Sequence, residues 1–342
     1  MVGRCNVYHI VVLLFVVLKN QSHAIQRYDL CNISATPGEY QIASNCSLAS
    51  GITLTSTEPN DVLNITGIGA VKPAIDGCWD GSSDPAVSGE PRGYFSSVSG
   101  SVKMTLAIDN IILTHFELGV ILVQGFNTIL KNCVVENNIR RNKGAITAYM
   151  ATVTITGCIF SNNVAFYYNS NDALGGAIYI YSGSTVSATS TVFSGNRARD
   201  GGGAIFNWGT ATFSGCKFLN NTASKRGGGA IEIKGSGVTI VQNSLFLGNA
   251  AYDGSSSRHG GDISCYGTNY PTIILQSSKL QGTANGKSPV TGCNSDVTYF
   301  RVNMEDTDMD YAAPTSSLGS SYKFPTPSSC SDYSTAGYNC GS

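Results

Sequence analysis

The sequence contains little charge. Only 13% of its 342 residues are Asp, Glu, Lys or Arg, and the formal net charge at pH 7 is −1. Because so neutral a chain gives no basic surface for a phosphate backbone, we expect no nucleic acid among its partners. The acidic residues are scattered rather than grouped across the repeated middle of the chain, and only 4 His are present. This scatter disfavours the common hydrolytic and metal-dependent sites.

Long apolar runs are also scarce. The clearest one, Ile10–Leu18, follows Arg4 and precedes the small-residue sequence Ser22-His23-Ala24, so residues 1–24 are predicted to be a signal peptide. A bilayer requires about 20 apolar residues, and we therefore expect no membrane span. The sequence thus predicts a secreted protein that is extracellular or associated with the cell wall or surface.

Two short motifs alternate along the middle of the chain, and the first is Phe-x-x-Asn. Its copies are Phe160/Asn163, Phe193/Asn196, Phe218/Asn221 and Phe246/Asn249, after a degenerate Val135/Asn138. The second motif, Gly-Gly-Ala-Ile, occupies Gly175–Ile178, Gly202–Ile205 and Gly228–Ile231. Successive Asn residues lie 25, 33, 25 and 28 residues apart. Repeats of this length with alternating apolar residues predict a β solenoid, in which each coil buries its apolar face against its neighbours.

The repeats also predict which side chains line the core. One buried column is expected to hold Ile121, Ile146, Ile178, Ile205, Ile231 and Ile263, and a second holds Val123, Ala148, Ile180, Asn207, Ile233 and Cys265. The four Phe residues of Phe-x-x-Asn form a third stack. The Asn residues are predicted to bond one another and the turn backbone from coil to coil.

The chain divides into four predicted segments. Residues 1–24 are the signal peptide, 25–103 an N-terminal cap with the first coils, 104–295 the regular repeats, and 296–342 a C-terminal cap and a tail rich in Ser, Thr, Pro and Tyr. We expect a cap because the first coil would otherwise expose its apolar end and an unpaired strand edge.

The two motifs together resemble the polymorphic outer membrane protein repeat, which is recognised by FxxN with GGA[ILV]. The pairs are FSNN, FSGN and FLNN, each followed by GGAI, and the resemblance covers roughly residues 104–270. It implies an all-β fold, a single-stranded right-handed parallel β-helix with an N-terminal cap and an irregular C-terminal tail. Proteins with such repeats are surface or secreted proteins, some of them adhesins. The wider pectate-lyase-like architecture includes enzymes acting on polysaccharides, and fold alone does not choose among these functions.

Aromatic residues recur at positions of the Gly-Gly-Ala-Ile strands that are predicted to point outward. They are Tyr149, Tyr179, Tyr181, Phe206, Trp208 and Tyr266. Rings repeated at coil spacing on an exposed sheet would bind an extracellular polysaccharide or a surface protein. The same rings would also stabilise the sheet as a ladder or lie under a loop, and both interpretations stay open.

The turns before the Gly-Gly pairs are basic. Arg140, Arg141 and Lys143 on an early coil, and the four residues Arg199, Asp200, Arg226 and Arg258 on later coils, would line one edge of the solenoid. Arginines on such an edge would bind carboxylated or sulfated polysaccharide. In an alternative function, that of a polysaccharide lyase, epimerase or hydrolase, these four residues are the catalytic candidates and calcium is the expected ion. Outside that alternative we expect no cofactor and no metal.

Cysteines and sequons mark further candidate sites. Of 11 Cys residues, Cys5 is removed with the signal peptide, and an even number in a secreted chain suggests disulfides. Cys133 and Cys158 hold equivalent positions on adjacent coils and are interpreted as a bridge or as a buried pair of free thiols. Cys330 and Cys340 bracket a last loop. Predicted N-glycosylation sites are Asn32, Asn45, Asn64 and Asn220.

The sequence therefore favours a non-enzymatic β-helix that presents a repetitive surface for adhesion or for contact with extracellular matrix or cell wall. A carbohydrate-binding module or a polysaccharide-active enzyme is the alternative.

Overall fold

The structure is a computed structural model, and it describes residues 29–48, 51–56, 58, 60–77, 94–97, 104–117, 119–166, 172–225, 227–251, 261–266, 271–280, 290–291, 301–305 and 308–309. Every strand pairing among these residues is parallel, and none of the described segments is helical. The strands form four stacked sheets, so the chain winds as a right-handed parallel β-helix. The predicted fold class is confirmed.

One coil shows how the sheets are built. The chain passes through Ile178–Ile180, Thr185–Thr189, Val192–Ser194 and Arg197–Ala198 before the next Gly-Gly pair. We call the sheets that these four strands join sheets I, II, III and IV, in that order. The strands are short because a turn residue follows each of them.

Sheets I and II hold most of the backbone pairing. The strands of sheet I are Ile52–Leu54, Phe95–Ser97, Ile121–Gln124, Ile146–Tyr149, Ile178–Ile180, Ile205–Asn207, Ile231–Lys234, Ile263–Tyr266 and Val290–Thr291. Those of sheet II are Gly38–Ile42, Val62–Gly67, Thr105–Asp109, Asn127–Lys131, Thr152–Thr156, Thr185–Thr189, Thr210–Ser214, Val238–Gln242, Thr272–Gln276 and Arg301–Glu305.

Sheets III and IV complete each coil. The strands of sheet III are Asp29–Leu30, Cys46–Ser47, Ala74–Asp76, Ile112–Thr114, Val134–Glu136, Ile159–Ser161, Val192–Ser194, Lys217–Leu219, Leu245–Leu247, Lys279–Leu280 and Asp308–Met309. Those of sheet IV are Ile139–Arg141, Val164–Phe166, Arg197–Ala198, Thr222–Ala223 and Ala250–Ala251.

The predicted core columns are confirmed. The six Ile residues of the first column pair in register across sheet I, and all are fully buried. The second column, from Val123 to Cys265, is buried in the same way. Phe160, Phe193, Phe218 and Phe246 form a continuous ring stack with centroid separations of 5.1, 4.9 and 4.5 Å. Alternation of side chains along each strand places all of these columns inside the solenoid.

A buried asparagine ladder runs beside the Phe stack, also as predicted. The Nδ2 of each Asn donates to the Oδ1 of the next at 2.9 Å, from Asn138 through Asn163, Asn196 and Asn221 to Asn249. Each Nδ2 also donates to a backbone carbonyl of the preceding coil, as Asn196 does to Phe160 O. The last Nδ2, of Asn249, donates to the buried Asp262 carboxylate. The ladder thereby satisfies the polar groups of the turn within a dry interior.

The Gly-Gly pairs are required by two different constraints. Gly202 has a φ of +60°, which L side chains rarely adopt. At Gly203 a Cβ would lie 2.0 Å from the carbonyl oxygen of Gly229 on the next coil. In this pair the first glycine therefore makes the bend, and the second allows the backbones of successive coils to touch.

One buried hydroxyl in the core lacks a hydrogen-bond partner. Thr128 is 1% exposed in sheet II, and its Oγ1 bonds to nothing in the described part of the chain. Its neighbour in the same column is Val153. We expect Thr128→Val to raise the free energy of unfolding by about 1 kcal/mol, because the shape is kept and an unsatisfied polar group is removed. Chemical denaturation measures this gain. The exposed Thr152→Val is the matched control, and an equal or negative effect at Thr128 would contradict the assignment.

Of the two alternatives for Cys133 and Cys158, the structure shows the pair of free thiols and not the bridge. Both are buried free thiols, as are Cys216 and Cys265. The Cys133 backbone N–H donates to Cys158 Sγ at 3.3 Å, so the Cys158 sulfur accepts a hydrogen bond from the turn of the neighbouring coil. Ser244 Oγ plays the same part for the Cys216 backbone N–H. Burial raises the pKa of the Cys216 thiol to about 11, which keeps it protonated.

A disulfide joins Cys31 and Cys46 in the described part of the chain. The predicted candidates Cys330 and Cys340 lie outside the described residues.

Candidate binding surface

The outward face of sheet I carries two columns of side chains. The inner column alternates with the buried Ile residues and contains Leu122, Thr147, Tyr179, Phe206, Glu232 and Ser264. The outer column lies two positions further along each coil and contains Gln124, Tyr149, Tyr181, Trp208, Lys234 and Tyr266. The two columns differ in exposure, and this difference decides which rings a partner reaches.

The inner column is covered, which corrects the expectation that Tyr179 and Phe206 face solvent. Tyr179 is 7% exposed and Phe206 is 1% exposed. Both pack under Leu174, a residue of the turn before the Gly-Gly pair, with their ring centroids 4.8 Å apart. Burial raises the pKa of the Tyr179 hydroxyl above its ordinary value. These two rings stabilise the coil rather than form a ligand surface.

The outer column remains exposed. Tyr149 is 40% exposed and Trp208 is 37% exposed, with the half-buried Tyr181 between them. The rings of Tyr149 and Tyr181 meet edge to face, at 76° with centroids 5.2 Å apart, so they make a ridged surface rather than a flat stack. The Tyr266 side chain lies outside the described part of the structure.

Two lysines lie over these rings. Lys143 Nζ is 5.0 Å from the centroid of Tyr181, and Lys234 Nζ is 5.7 Å from that of Trp208. A cation over an aromatic face is attracted by about 0.5–1 kcal/mol at an exposed site. We name the set of Tyr149, Tyr181, Trp208, Lys143 and Lys234 the ring–lysine strip. It combines apolar ring area with positive charge along successive coils.

Arg140 adjoins the strip, and the sequence places it with Lys143 in a basic segment before a Gly-Gly position. The half-buried side chain crosses the inner column, and its Nη1 donates to Thr147 Oγ1 at 2.7 Å. Burial lowers the pKa of the guanidinium to about 10, and the nearby Tyr181 phenol opposes that shift. A signal was present in the sequence, since the equivalent position of each following coil is alanine.

Of the four candidate catalytic residues, the structure describes Arg199 and Asp200, and the Asp200 carboxylate is buried. Asp200 is 1% exposed, and its Oδ2 accepts the Ala173 backbone N–H at 2.9 Å. Arg199 lies 4.0 Å and Lys225 3.7 Å from its carboxylate oxygens. Asp200 therefore fastens one turn to the next, a role that the sequence did not predict. Arg226 and Arg258 lie outside the described residues.

Buried acids elsewhere also make no metal centre in the described part of the chain. Glu232, which sequence reasoning missed, is 2% exposed in the inner column. Among the described residues, no three of the His, Cys, Asp and Glu side chains are grouped so that they could hold a metal ion.

The four sequons lie on different surfaces. Asn32, Asn45 and Asn220 are exposed, whereas Asn64 is half-buried and its Nδ2 donates to Glu39 Oε2 at 2.7 Å. A glycan at Asn64 would attach at this same Nδ2 and replace one of its two hydrogens. Glycosylation at the four sites stays a prediction.

Comparison with known proteins agrees with the repeat motifs. Residues 157–181 and 190–207 match the Chlamydia polymorphic membrane protein repeat, and each stretch contains one Phe-x-x-Asn and one Gly-Gly-Ala-Ile motif. The chain therefore carries repeats of this type, and the predicted resemblance is confirmed. A stretch of 141 residues, 41% of this chain, is 30% identical to metabotropic glutamate receptor-like protein R of Dictyostelium discoideum. That stretch spans 8% of the relative.

Solved structures give a weaker likeness. The catalytic domain of a GH87 alpha-1,3-glucanase in complex with nigerose is 12% identical, with a TM-score of 0.28, and the match covers 79% of this chain and 63% of that domain. A variant of that catalytic domain in complex with tetrasaccharides is 13% identical with a TM-score of 0.26, over 79% of this chain and 63% of that one. At such TM-scores the likeness carries no argument about activity.

Within the described residues, no helix has the length and apolar character to cross a membrane.

Proposed function

We propose that this protein is an extracellular adhesive β-helix that binds polysaccharide of a matrix or cell wall through the ring–lysine strip. The observation that carries the proposal is the exposure of Tyr149 and Trp208 on the same outward column, with cations at Lys143 and Lys234. Aromatic rings offer large rigid contact area for sugars, and lysines beside them add polar and charged contacts.

The scaffold holds this surface in place before any partner arrives. The backbone N–H of Tyr181 donates to Ala148 O, and that of Trp208 donates to Ile180 O, each at 2.9 Å. Below them lies the continuous buried column of Ile residues. Since a preorganised surface loses little conformational entropy on binding, its exposed rings contribute more of their contact energy to affinity.

A location at the cell surface or outside the cell is part of the proposal. The apolar segment at residues 10–18 motivates export, and the names of the matching repeat and relative include the words membrane protein and receptor-like. A repetitive rod displayed there suits attachment to repetitive polymers, because identical spacing allows several weak contacts to form together.

The strip can be tested by truncating its two exposed rings. We expect the double variant Tyr149→Ala, Trp208→Ala to bind its polysaccharide about thirtyfold more weakly, because loss of an aromatic anchor costs about 2 kcal/mol. A glycan array of the secreted protein identifies the polymer, and titration calorimetry measures the affinity. Tyr181 is left unchanged since it packs on the buried Tyr179 and Phe206 cluster.

The control removes equally exposed apolar residues from sheet III. Ile159 and Leu247 are each 42% exposed, so the variant Ile159→Ala, Leu247→Ala should bind as the wild type does. Unchanged binding in the ring variant would show that the ring–lysine strip does not bind the polysaccharide. A blank array would overturn the polysaccharide partner itself.

A further inference from the structure

Arg140 departs from the pattern of the column in which it lies. The register of sheet IV places it beside Ala165, and the same position in the following coils holds Ala198, Ala223 and Ala251. These four alanines are buried, each with no more than 1% exposed. Four successive coils thus accept only a methyl group where Arg140 carries a guanidinium. A local violation of an otherwise consistent repeat is expected mainly at functional positions.

The neighbouring residues make room for this side chain. A Cβ on Gly119, which has a φ of +80°, would lie 2.7 Å from Arg140 Cδ. At the other end of the side chain, Nη1 donates to the fully buried Thr147 Oγ1. The arginine is therefore held against the outward face of sheet I, beside Tyr181, rather than extended into solvent.

Within the described part of the chain, no carboxylate forms an ion pair with this charge. Across the described residues, neither Arg140 nor Lys143 forms an ion pair, while Asp200 has Arg199 and Lys225 close by. Lys143, three residues after Arg140, has its Nζ 5.0 Å from the centroid of Tyr181. Partial burial of a cation without an anionic partner is unfavourable. A guanidinium with one donor on Thr147 keeps further N–H groups for an anion.

We propose that Arg140, held by Thr147, and Lys143 form an anion site beside Tyr181, and that it takes the carboxylate or sulfate group of an acidic polysaccharide. The sugar that bears this group, or its neighbour, packs against the exposed ring of Tyr149. This inference rests on the proposed function, since it names the class of polymer that the ring–lysine strip binds. Two cations beside exposed rings select an acidic chain over a neutral chain of the same shape.

The test compares one polymer in two charge states. The secreted full-length protein is titrated with a galacturonate oligomer and with its methyl ester, in which a neutral ester of nearly the same shape replaces each carboxylate. We expect the acid form to bind more tightly, and Arg140→Ala to weaken its binding about tenfold, as loss of a charge-assisted hydrogen bond implies. Arg140→Ala installs the residue of the following coils, so the fold is retained, and thermal melting checks this.

The matched control is Arg197→Ala, which removes an exposed arginine from the next-but-one coil of sheet IV. It should change the affinity by less than about twofold, because exposed charges contribute little. Inorganic sulfate is the second probe. At matched ionic strength it should raise the melting temperature of the wild type more than that of Arg140→Ala, because only the wild-type native state binds the anion.

The outcomes separate this inference from the proposed function. Equal affinity for acid and ester, with binding still weakened by Tyr149→Ala, Trp208→Ala, would overturn the anion site and leave the adhesive strip standing. A sulfate effect lost in Arg140→Ala, without binding of either oligomer, would support the anion site and count against the adhesive strip. If wild type and Arg140→Ala had the same oligomer affinity and the same shift of melting temperature with sulfate, the inference would be wrong.

Discussion

Replacing Asn196 with alanine is expected to lower the free energy of unfolding by about 4 kcal/mol, because buried hydrogen-bond partners are left unsatisfied at a cost of about 1–3 kcal/mol each. Its Nδ2 donates to Asn221 Oδ1 and to Phe160 O, both at 2.9 Å. Its Oδ1 accepts from the Nδ2 of Asn163 at 2.9 Å and from the backbone N–H of Asn163 at 3.1 Å. All of these groups are inside the solenoid, where no water replaces the lost partner.

Chemical denaturation measures this loss, and hydrogen exchange locates it. Because coils contact only their neighbours, the amide of Asn163 should lose more protection than amides several coils away. Asn127 supplies the control, because its side chain is exposed in sheet II. The residue paired with it on the preceding coil is Thr105, so Thr fits this position. Asn127→Thr should alter stability by less than about 0.5 kcal/mol. A similar small effect at Asn196 would show that the ladder is not a major source of stability.

Replacing Phe218 with alanine should destabilise the protein by about 4 kcal/mol, in the range for a large aromatic removed from a packed core. The ring lies between Phe193 and Phe246, with centroids 4.9 and 4.5 Å away, and meets Phe213 edge to face at 5.3 Å. Coils are joined by backbone hydrogen bonds on all sides, so the cavity cannot close by collapse. Thermal and denaturant unfolding measure the change.

A graded substitution checks that packing is the cause. Phe218→Leu keeps part of the volume and should cost less than half as much as Phe218→Ala. Leu247→Ala, on the adjacent coil but 42% exposed, should cost well under about 1 kcal/mol. If Phe218→Ala and Leu247→Ala had equal effects, the stack would be contributing no more than a surface residue.

The amino-acid sequence by itself determined the solenoid, its interior columns and the asparagine ladder. A strand exposes alternate side chains to opposite faces, so a one-residue shift would place all of the Ile residues from Ile121 to Ile263 in water. Each coil packs only on its neighbours, and the repeat of Phe-x-x-Asn therefore carries the register from coil to coil. In such a fold the residues that contact one another in space are those at equivalent positions of successive repeats. The buried positions could therefore be predicted from the sequence.

Which side chains are exposed on the outward face of sheet I depends on tertiary contacts that the repeat pattern does not specify. Tyr179 and Phe206 are covered by Leu174, because the turn before their strand folds back over the sheet. Arg140 lies on a strand of sheet IV, and its side chain reaches across to Thr147. The turns before sheet I differ in length from coil to coil, so no repeat sets their path. For the same reason the partners of Asp200 were not predictable. Alternation along a strand specifies which side chains point outward, whereas the path of an irregular turn decides which of them solvent and a partner can reach.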